Sequence, residues 1–220
     1  MKSQNKYWWT IIFFAALGLI ALQINLNHIA GSKVNFTMFD SFGPLAGTFL
    51  GPVVGTISLV VLQLINALVH KQPLLNIAAI VHMIPVLGAA WYFRKRNVGN
   101  IIIPLIAIVA FNLNPVGRSV WYYSLYWLIP VGAYFLQNRW LWARSLGAAF
   151  TAHAVGGALW IWLIPLPRTV WIGLIPIIPV ERLLLAGGMM VSYVAVKGIV
   201  RGLAGEQSVK ISRPVPADQA

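Results

Sequence analysis

Long apolar runs recur along the chain and constrain its fold more than any other feature. The chain is 59% hydrophobic and 9% charged, and a soluble domain of 220 residues cannot bury that much apolar surface. A helix of about 20 apolar residues matches the hydrocarbon thickness of a bilayer. The sequence therefore predicts an all-α polytopic membrane helix bundle that is surrounded by the lipid bilayer. We place the apolar passes at residues 8–27, 41–50, 52–70, 74–93, 101–111, 120–136, 145–164 and 180–200.

The basic residues predict the orientation of this bundle. If the N-terminus is cytoplasmic and residues 41–70 form a hairpin, eleven Lys and Arg residues lie inside and four lie outside. Cytoplasmic loops of membrane proteins are enriched in Lys and Arg. We therefore predict six to eight hydrophobic passes, one of them short, with both termini cytoplasmic.

Charge and cysteine content also limit the kinds of partner and cofactor. The net charge of +12 is spread over short loops between apolar passes, so it indicates membrane orientation and no nucleic-acid partner. The chain has no cysteine, which excludes disulfides and thiolate chemistry. We predict no cofactor. Residues 1–202 are predicted to form a single transmembrane domain, and residues 203–220 a polar, disordered cytoplasmic tail.

Four glycines repeat at every fourth residue after a polar loop at residues 28–40. At helical spacing they would form a bare stripe that another helix backbone can approach closely. Pro52 lacks an amide donor and disfavours helix at the residue before it, so we expect a short broken helix near residues 41–50 and a longer one over 52–70. A second small-residue stripe lies in the pass at 145–164. The predicted helix-packing residues are Gly43, Gly47, Gly51, Gly55, Ala148, Ala152 and Gly156.

The glycine-containing segment resembles part of a known family. It has an acidic residue after a polar loop, then Pro-Leu, small residues, Leu-Gly-Pro-x-x-Gly and an apolar helix. This order is similar to the second and third helices of S components, the substrate-capturing membrane subunits of energy-coupling factor transporters, and is closest to riboflavin-type members. The matching residues are Phe39-Asp40, Gly43-Pro44-Leu45-Ala46-Gly47 and Leu50-Gly51-Pro52-Val53-Val54-Gly55.

This resemblance implies a role in uptake across a prokaryotic plasma membrane. The chain would capture a small vitamin-like solute from outside, with residues 28–40 as a mobile lid over an outer pocket. Separate ATPase and coupling membrane subunits are the implied partners, since this chain has no nucleotide-binding phosphate loop. S components have six helices, so residues 101–136 would form an additional hairpin.

Four titratable residues are candidates for the solute site. Asp40 and Glu181 fall near the predicted outer side, where unpaired charge is costly. They either anchor the helices through the interface and salt bridges or orient a polar ligand group. His82 and His153 fall near mid-depth, where they either bond between helices or contact the ligand. No carboxylate or cysteine is available at that depth, so no metal site is predicted.

Aromatic and amide residues complete the predicted site. Tryptophan is common at membrane interfaces, but aromatic rings can also stack on a flat heteroaromatic ligand beside a few amides. Both interpretations remain open for the outer aromatic residues. The remaining predicted substrate-binding residues are Asn35, Asn76, Asn112, Arg118, Trp121 and Trp160.

Catalytic motifs are missing from the sequence, which has no Gly-x-Ser-x-Gly and no His-Glu-x-x-His. We therefore predict no catalytic residues. Two other classes stay open: a membrane enzyme acting on lipid or peptide through His153 and Glu181, and a ligand-free structural or assembly subunit. A pocket in the outer half favours solute capture, whereas a laterally open pocket with a His–carboxylate pair favours the enzyme. Residues 165–179 contain four prolines and predict an outer loop or a partly re-entrant segment.

Overall fold

Helices make up most of the structure, a computed structural model that describes residues 2–28, 35–71 and 77–204. This confirms the predicted all-α class, to which the described residues add one short antiparallel β-hairpin. The elements in chain order are α1 (Lys2–Gln23), β1 (Asn25–His28), β2 (Asn35–Thr37), α2 (Met38–Phe42), a 3₁₀ turn (Gly43–Leu45), α3 (Ala46–Phe49), α4 (Pro52–Val69), α5 (Ile77–Arg94), α6 (Gly99–Leu113), α7 (Pro115–Ser119), a 3₁₀ helix (Trp121–Leu128), α8 (Ile129–Tyr134), α9 (Leu141–Leu163), α10 (Arg168–Leu174) and α11 (Ile177–Ala204).

Three helices in the described part of the chain are long and apolar enough to cross a membrane. They span Pro52–Val69, Leu141–Leu163 and Ile177–Gly202, with mean hydropathies of 2.0, 1.4 and 1.8. Shorter apolar helices cover Trp8–Gln23 and Gly99–Leu113. Many large apolar side chains on α4 and α11 are exposed, as suits contact with lipid. These features identify a membrane protein.

Helices α5 and α9 pack against each other in antiparallel orientation. A Cβ at Gly88 of α5 would lie 3.2 Å from Val155, and the ring of Tyr92 lies directly against Gly147. Along this contact, residue numbers therefore increase in α5 and decrease in α9, so the two helices run in opposite directions. Small residues at these contacts allow the two backbones to approach closely.

The helix at residues 38–49 is short and broken, as predicted for residues 41–50. The Thr37 N–H donates to Asp40 Oδ2 at 2.7 Å, which satisfies one free amide at the start of α2. The segment ends at Gly51, whose φ of +83° lies in the left-handed region that glycine tolerates. Pro52 occupies the first turn of α4, where its missing N–H costs little.

The four stripe glycines have different surroundings. A Cβ at Gly47 would lie 2.6 Å from a backbone carbonyl oxygen of α5, and a Cβ at Gly55 would lie 2.6 Å from one in α3. Gly43 faces side chains, the nearest at 3.1 Å. A Cβ at Gly51 would have no neighbour within 4 Å, so this residue makes the turn and does not have the packing role that we predicted.

The region over 101–136 differs from the predicted pair of straight arms. Helix α6 is continuous, but residues 115–134 divide into α7, the 3₁₀ helix and α8. The Asn114 side chain accepts the N–H of Val116 at 2.9 Å and of Gly117 at 3.4 Å, and these bonds begin α7 directly after α6. The predicted apolar pass over 120–136 is therefore not a single helix.

Two predicted loops contain regular structure. Strand β2 and helix α2 occupy residues 35–40 of the predicted lid, and residues 29–34 lie outside the described residues. Helix α10 forms within 165–179, a region predicted to be poor in helix. Pro167 has an extended backbone and precedes the first residue of α10, while Pro176 is the second residue after its last. The prolines therefore flank the helix and do not interrupt it.

The two ends of the bundle differ in charge. Arg94 ends α5 and Arg144 lies in the first turns of α9, with its guanidinium 5.7 Å from the ring of Phe93. Phe93 also contacts Tyr193 in the second half of α11 at 5.7 Å, and Arg201 follows in the last turn of α11. We call this the basic end. The opposite end, which carries β1 and β2, is called the hairpin end.

Candidate functional site

A cavity of about 100 Å³ lies inside the bundle. Residues of α5, α9 and α11 form much of its wall, and most of them belong to the halves of these helices that lie toward the hairpin end. The others extend the wall past the middle of α5 and α9. Phe36 of β2 and Asp40 of α2 add to the wall, as do Tyr123 of the 3₁₀ helix and Trp171 of α10. The cavity therefore lies where the short and long elements of the fold meet.

Charged side chains gather on one side of the cavity. Arg182 is 5% exposed, and its guanidinium lies 3.6 Å from Glu181 Oε2 and 4.5 Å from the centre of the Phe36 ring. His82 Nε2 lies 3.6 Å from Asp40 Oδ1. A buried guanidinium is stable only when nearby carboxylates or aromatic faces compensate for lost water. The cluster thus holds both signs of charge beside an apolar space.

His153 is held between two aromatic side chains. The Trp127 indole N–H donates to His153 Nδ1 at 3.0 Å, and the Tyr123 hydroxyl lies 3.0 Å from His153 Nε2. An indole N–H can only donate, so Nδ1 must be the accepting nitrogen. The hydrogen-bond network therefore assigns a neutral imidazole with its proton on Nε2, which donates to the Tyr123 oxygen. This histidine bonds between helices and also lines the cavity.

Aromatic rings form a rigid part of the wall. Tyr123 and Trp171 meet edge to face with centroids 5.0 Å apart, and Phe111 of α6 stacks on Tyr123 at 5.4 Å. Trp160 of α9 also lines the cavity. Rings packed in this way offer fixed faces and edges to a bound molecule at little entropic cost.

The structure brings part of the predicted site together. Five predicted substrate-binding residues line this cavity together: Asp40, His82, His153, Trp160 and Glu181. Of the predicted packing residues, Ala152 and Gly156 also line it, whereas Ala148 is fully buried in the core.

Other predicted site residues lie elsewhere. The Asn112 side chain donates to the Ile108 carbonyl and the Ser124 hydroxyl, so it stabilises the α6 region and does not line the cavity. Arg118 and Trp121 are exposed and are not part of the wall. Asn76 and the side chain of Asn35 lie outside the described residues.

Most residues of the wall were not predicted as site residues, and helical spacing could have found those on α11. Ile178, Arg182, Leu185 and Met189 follow each other at intervals of three or four, which places them on one face of α11. Phe36, Tyr123 and Trp171 come from short elements whose orientation no periodicity reveals. Within the described residues, no group of three His, Cys, Asp or Glu side chains could hold a metal ion.

Comparisons with protein-family models, with curated proteins and with solved structures found no match to this chain. The fold and the cavity thus define a helical membrane protein with an internal, partly charged, aromatic-walled cavity. The resemblance to S components stays a prediction.

Proposed function

We propose that this chain is the substrate-capturing membrane subunit of an uptake system for a small vitamin-like solute. The proposal rests on the cavity, whose wall combines fixed aromatic rings with a few polar groups. Such a combination is typical of small-molecule sites. ATPase and coupling subunits would be separate chains in the same prokaryotic plasma membrane.

The position of the cavity supports capture from outside. Most of its wall lies toward the hairpin end, and Arg94, Arg144 and Arg201 lie at the other end. If the basic end is cytoplasmic, as the positive-inside rule favours, the cavity opens toward the outer half of the membrane. Six to eight passes with both termini cytoplasmic complete this proposal.

A membrane enzyme is the second candidate because the cavity contains a His–carboxylate pair. His82 and Asp40 lie 3.6 Å apart, close enough for a shared proton after a small movement. However, no Ser, Thr or Cys is among the described residues of the wall. The pair therefore has no side-chain nucleophile for acyl transfer beside it in the wall. Solute capture needs no such group.

Isothermal titration of the purified chain tests solute capture. We expect one class among flavins, thiamin, biotin, pterins and nucleobases to bind without nucleotide. Trp160→Ala should weaken that binding about five- to tenfold because a stacking face is lost from the wall. Trp121→Ala is the matched control, since Trp121 is 57% exposed and outside the wall. Equal weakening by both variants, or release of a cleaved lipid or peptide product, would count against solute capture.

A further inference from the structure

The cavity wall contains a buried hydrogen-bond donor with no acceptor. Trp171 is 2% exposed, and its indole N–H has no partner among the described residues. Leaving a buried donor unpaired costs about 1–3 kcal/mol. A ligand acceptor that reached this N–H after a small movement of the wall would remove this cost.

The hydroxyl of Tyr123 is a second donor available to a ligand. Since His153 Nε2 carries the proton and donates to the Tyr123 oxygen, the hydroxyl hydrogen is not used in that bond. The described residues supply no other partner for it. Trp127 therefore determines the direction of both hydrogen bonds, from indole to imidazole and from imidazole to phenol, and leaves the phenol hydrogen free for a ligand.

The charges of the wall oppose a simple ion as ligand. Arg182 adds a third unpaired donor through its Nε–H, but the carboxylates of Glu181 and Asp40 lie on the same side of the cavity. An anion would satisfy the donors but face both carboxylates. A cation would be attracted by the carboxylates, yet it can only donate and would leave all three donors unpaired.

The size of the cavity favours a ligand of one ring. An engineered apolar cavity of roughly 150 Å³ accommodates benzene, and this cavity measures about 100 Å³. A single ring therefore needs a small outward movement of the wall, and a multi-ring solute needs a larger one.

We infer that the cavity binds a neutral, single-ring solute whose carbonyl or ring-nitrogen acceptor is bound by Trp171 and Tyr123. This inference rests on the proposed function and narrows its substrate class. Aromatic walls contact the faces of the ring, and the acceptor edge faces the donors.

Three probes of nearly equal size test the inference on the full chain in mild detergent. Benzamide is neutral with a carbonyl acceptor, benzoate is an anion and benzylammonium is a cation. Isothermal titration should show benzamide binding at least about tenfold more tightly than either ion, because each ion loses about one hydrogen bond or meets unfavourable charge. Tighter binding of benzoate or benzylammonium would overturn the inference.

Two pairs of variants locate the binding. Tyr123→Phe and Trp171→Phe should each weaken benzamide binding about two- to tenfold, because each removes one donor and keeps a ring. Tyr126→Phe and Trp162→Phe are the controls. They lose bonds to the carbonyls of Ile175 and Ala110, which are not part of the wall, and should leave binding within about twofold of the parent. If Trp171→Phe does not fold, the comparison of Tyr123→Phe with its control Tyr126→Phe decides whether the inference holds. Equal effects in test and control variants would overturn the inference.

Failure of the inference and failure of the proposed function give different results. If no probe binds but a solute of another kind copurifies with the chain, the inference is wrong and solute capture stands. If neither the probes nor any member of the solute panel binds and mass spectrometry finds no copurified solute, both are wrong.

Discussion

At the residue scale, Asp40 has two roles that can be separated. One carboxylate oxygen accepts the Thr37 N–H and caps α2, while the other faces His82 at 3.6 Å. Asp40 also lies in the cavity wall and is 9% exposed. A single residue thus joins β2, α2 and α5 at the site.

Replacing Asp40 should distinguish capping from charge. Asp40→Asn keeps an oxygen that can accept the Thr37 N–H, whereas Asp40→Ala removes it and should cost about 1 kcal/mol of stability. Both changes remove the carboxylate from the wall, so both should speed release of the bound solute. Thermal unfolding and dissociation kinetics measure the two effects. Unchanged release in both variants would show that the carboxylate does not contribute to binding.

Sequence reasoning succeeded where a residue's role follows from its neighbours in the chain. Asp40 stands after a polar loop, and Glu181 begins an apolar helix, so both could be selected as boundary charges. Tyr123 and Trp171 could not be selected in this way. Their positions depend on a 3₁₀ helix and a seven-residue helix that pack through tertiary contacts with Phe111.

At the scale of elements, the glycine repeat places the broken helix against two neighbours. Gly47 meets α5 and Gly55 meets α3, each through a backbone carbonyl, so neither contact can yield by rotating a side chain. The sequence predicted this stripe from spacing alone. The spacing could not distinguish the role of Gly51 from that of the other three glycines, because a repeat of residue types does not reveal the backbone angle φ.

The stripe predicts a graded response to alanine. Gly47→Ala should destabilise the fold by about 1–3 kcal/mol, since its Cβ would lie 2.6 Å from a backbone oxygen. Gly51→Ala should cost about 1–2 kcal/mol because φ is +83° there. Gly187→Ala is the control: its Cβ would meet nothing within 4 Å, and helix propensity favours alanine. Thermal unfolding in detergent measures all three, and equal melting temperatures would mean that the stripe has no close contact.

At the scale of the whole molecule, the arginines of the basic end lie away from most of the cavity wall. The composition predicted a membrane protein because the apolar fraction is too large for a soluble fold of this length. The cavity itself was predicted as an outer pocket with scattered polar and aromatic residues, without its shape or most of its wall. Its shape arises from the crossing of α5, α9 and α11, a tertiary arrangement that no single span encodes.

The proposed orientation can be tested by labelling. The native chain has no cysteine, so a single introduced cysteine reports its own side of the membrane without background. Lys71→Cys at the end of α4 should react with a membrane-impermeant reagent from outside intact cells, and Lys95→Cys after α5 should react only after lysis. The reverse pattern would place the cavity end in the cytoplasm and contradict capture from outside.

The central claim is that the cavity holds a small solute, and native mass spectrometry of the purified protein tests it most directly. We predict a noncovalent adduct of one small molecule on the parent chain, retained in Trp121→Ala and reduced in Trp160→Ala. Parent protein with no adduct before or after incubation with the solute panel would contradict the claim.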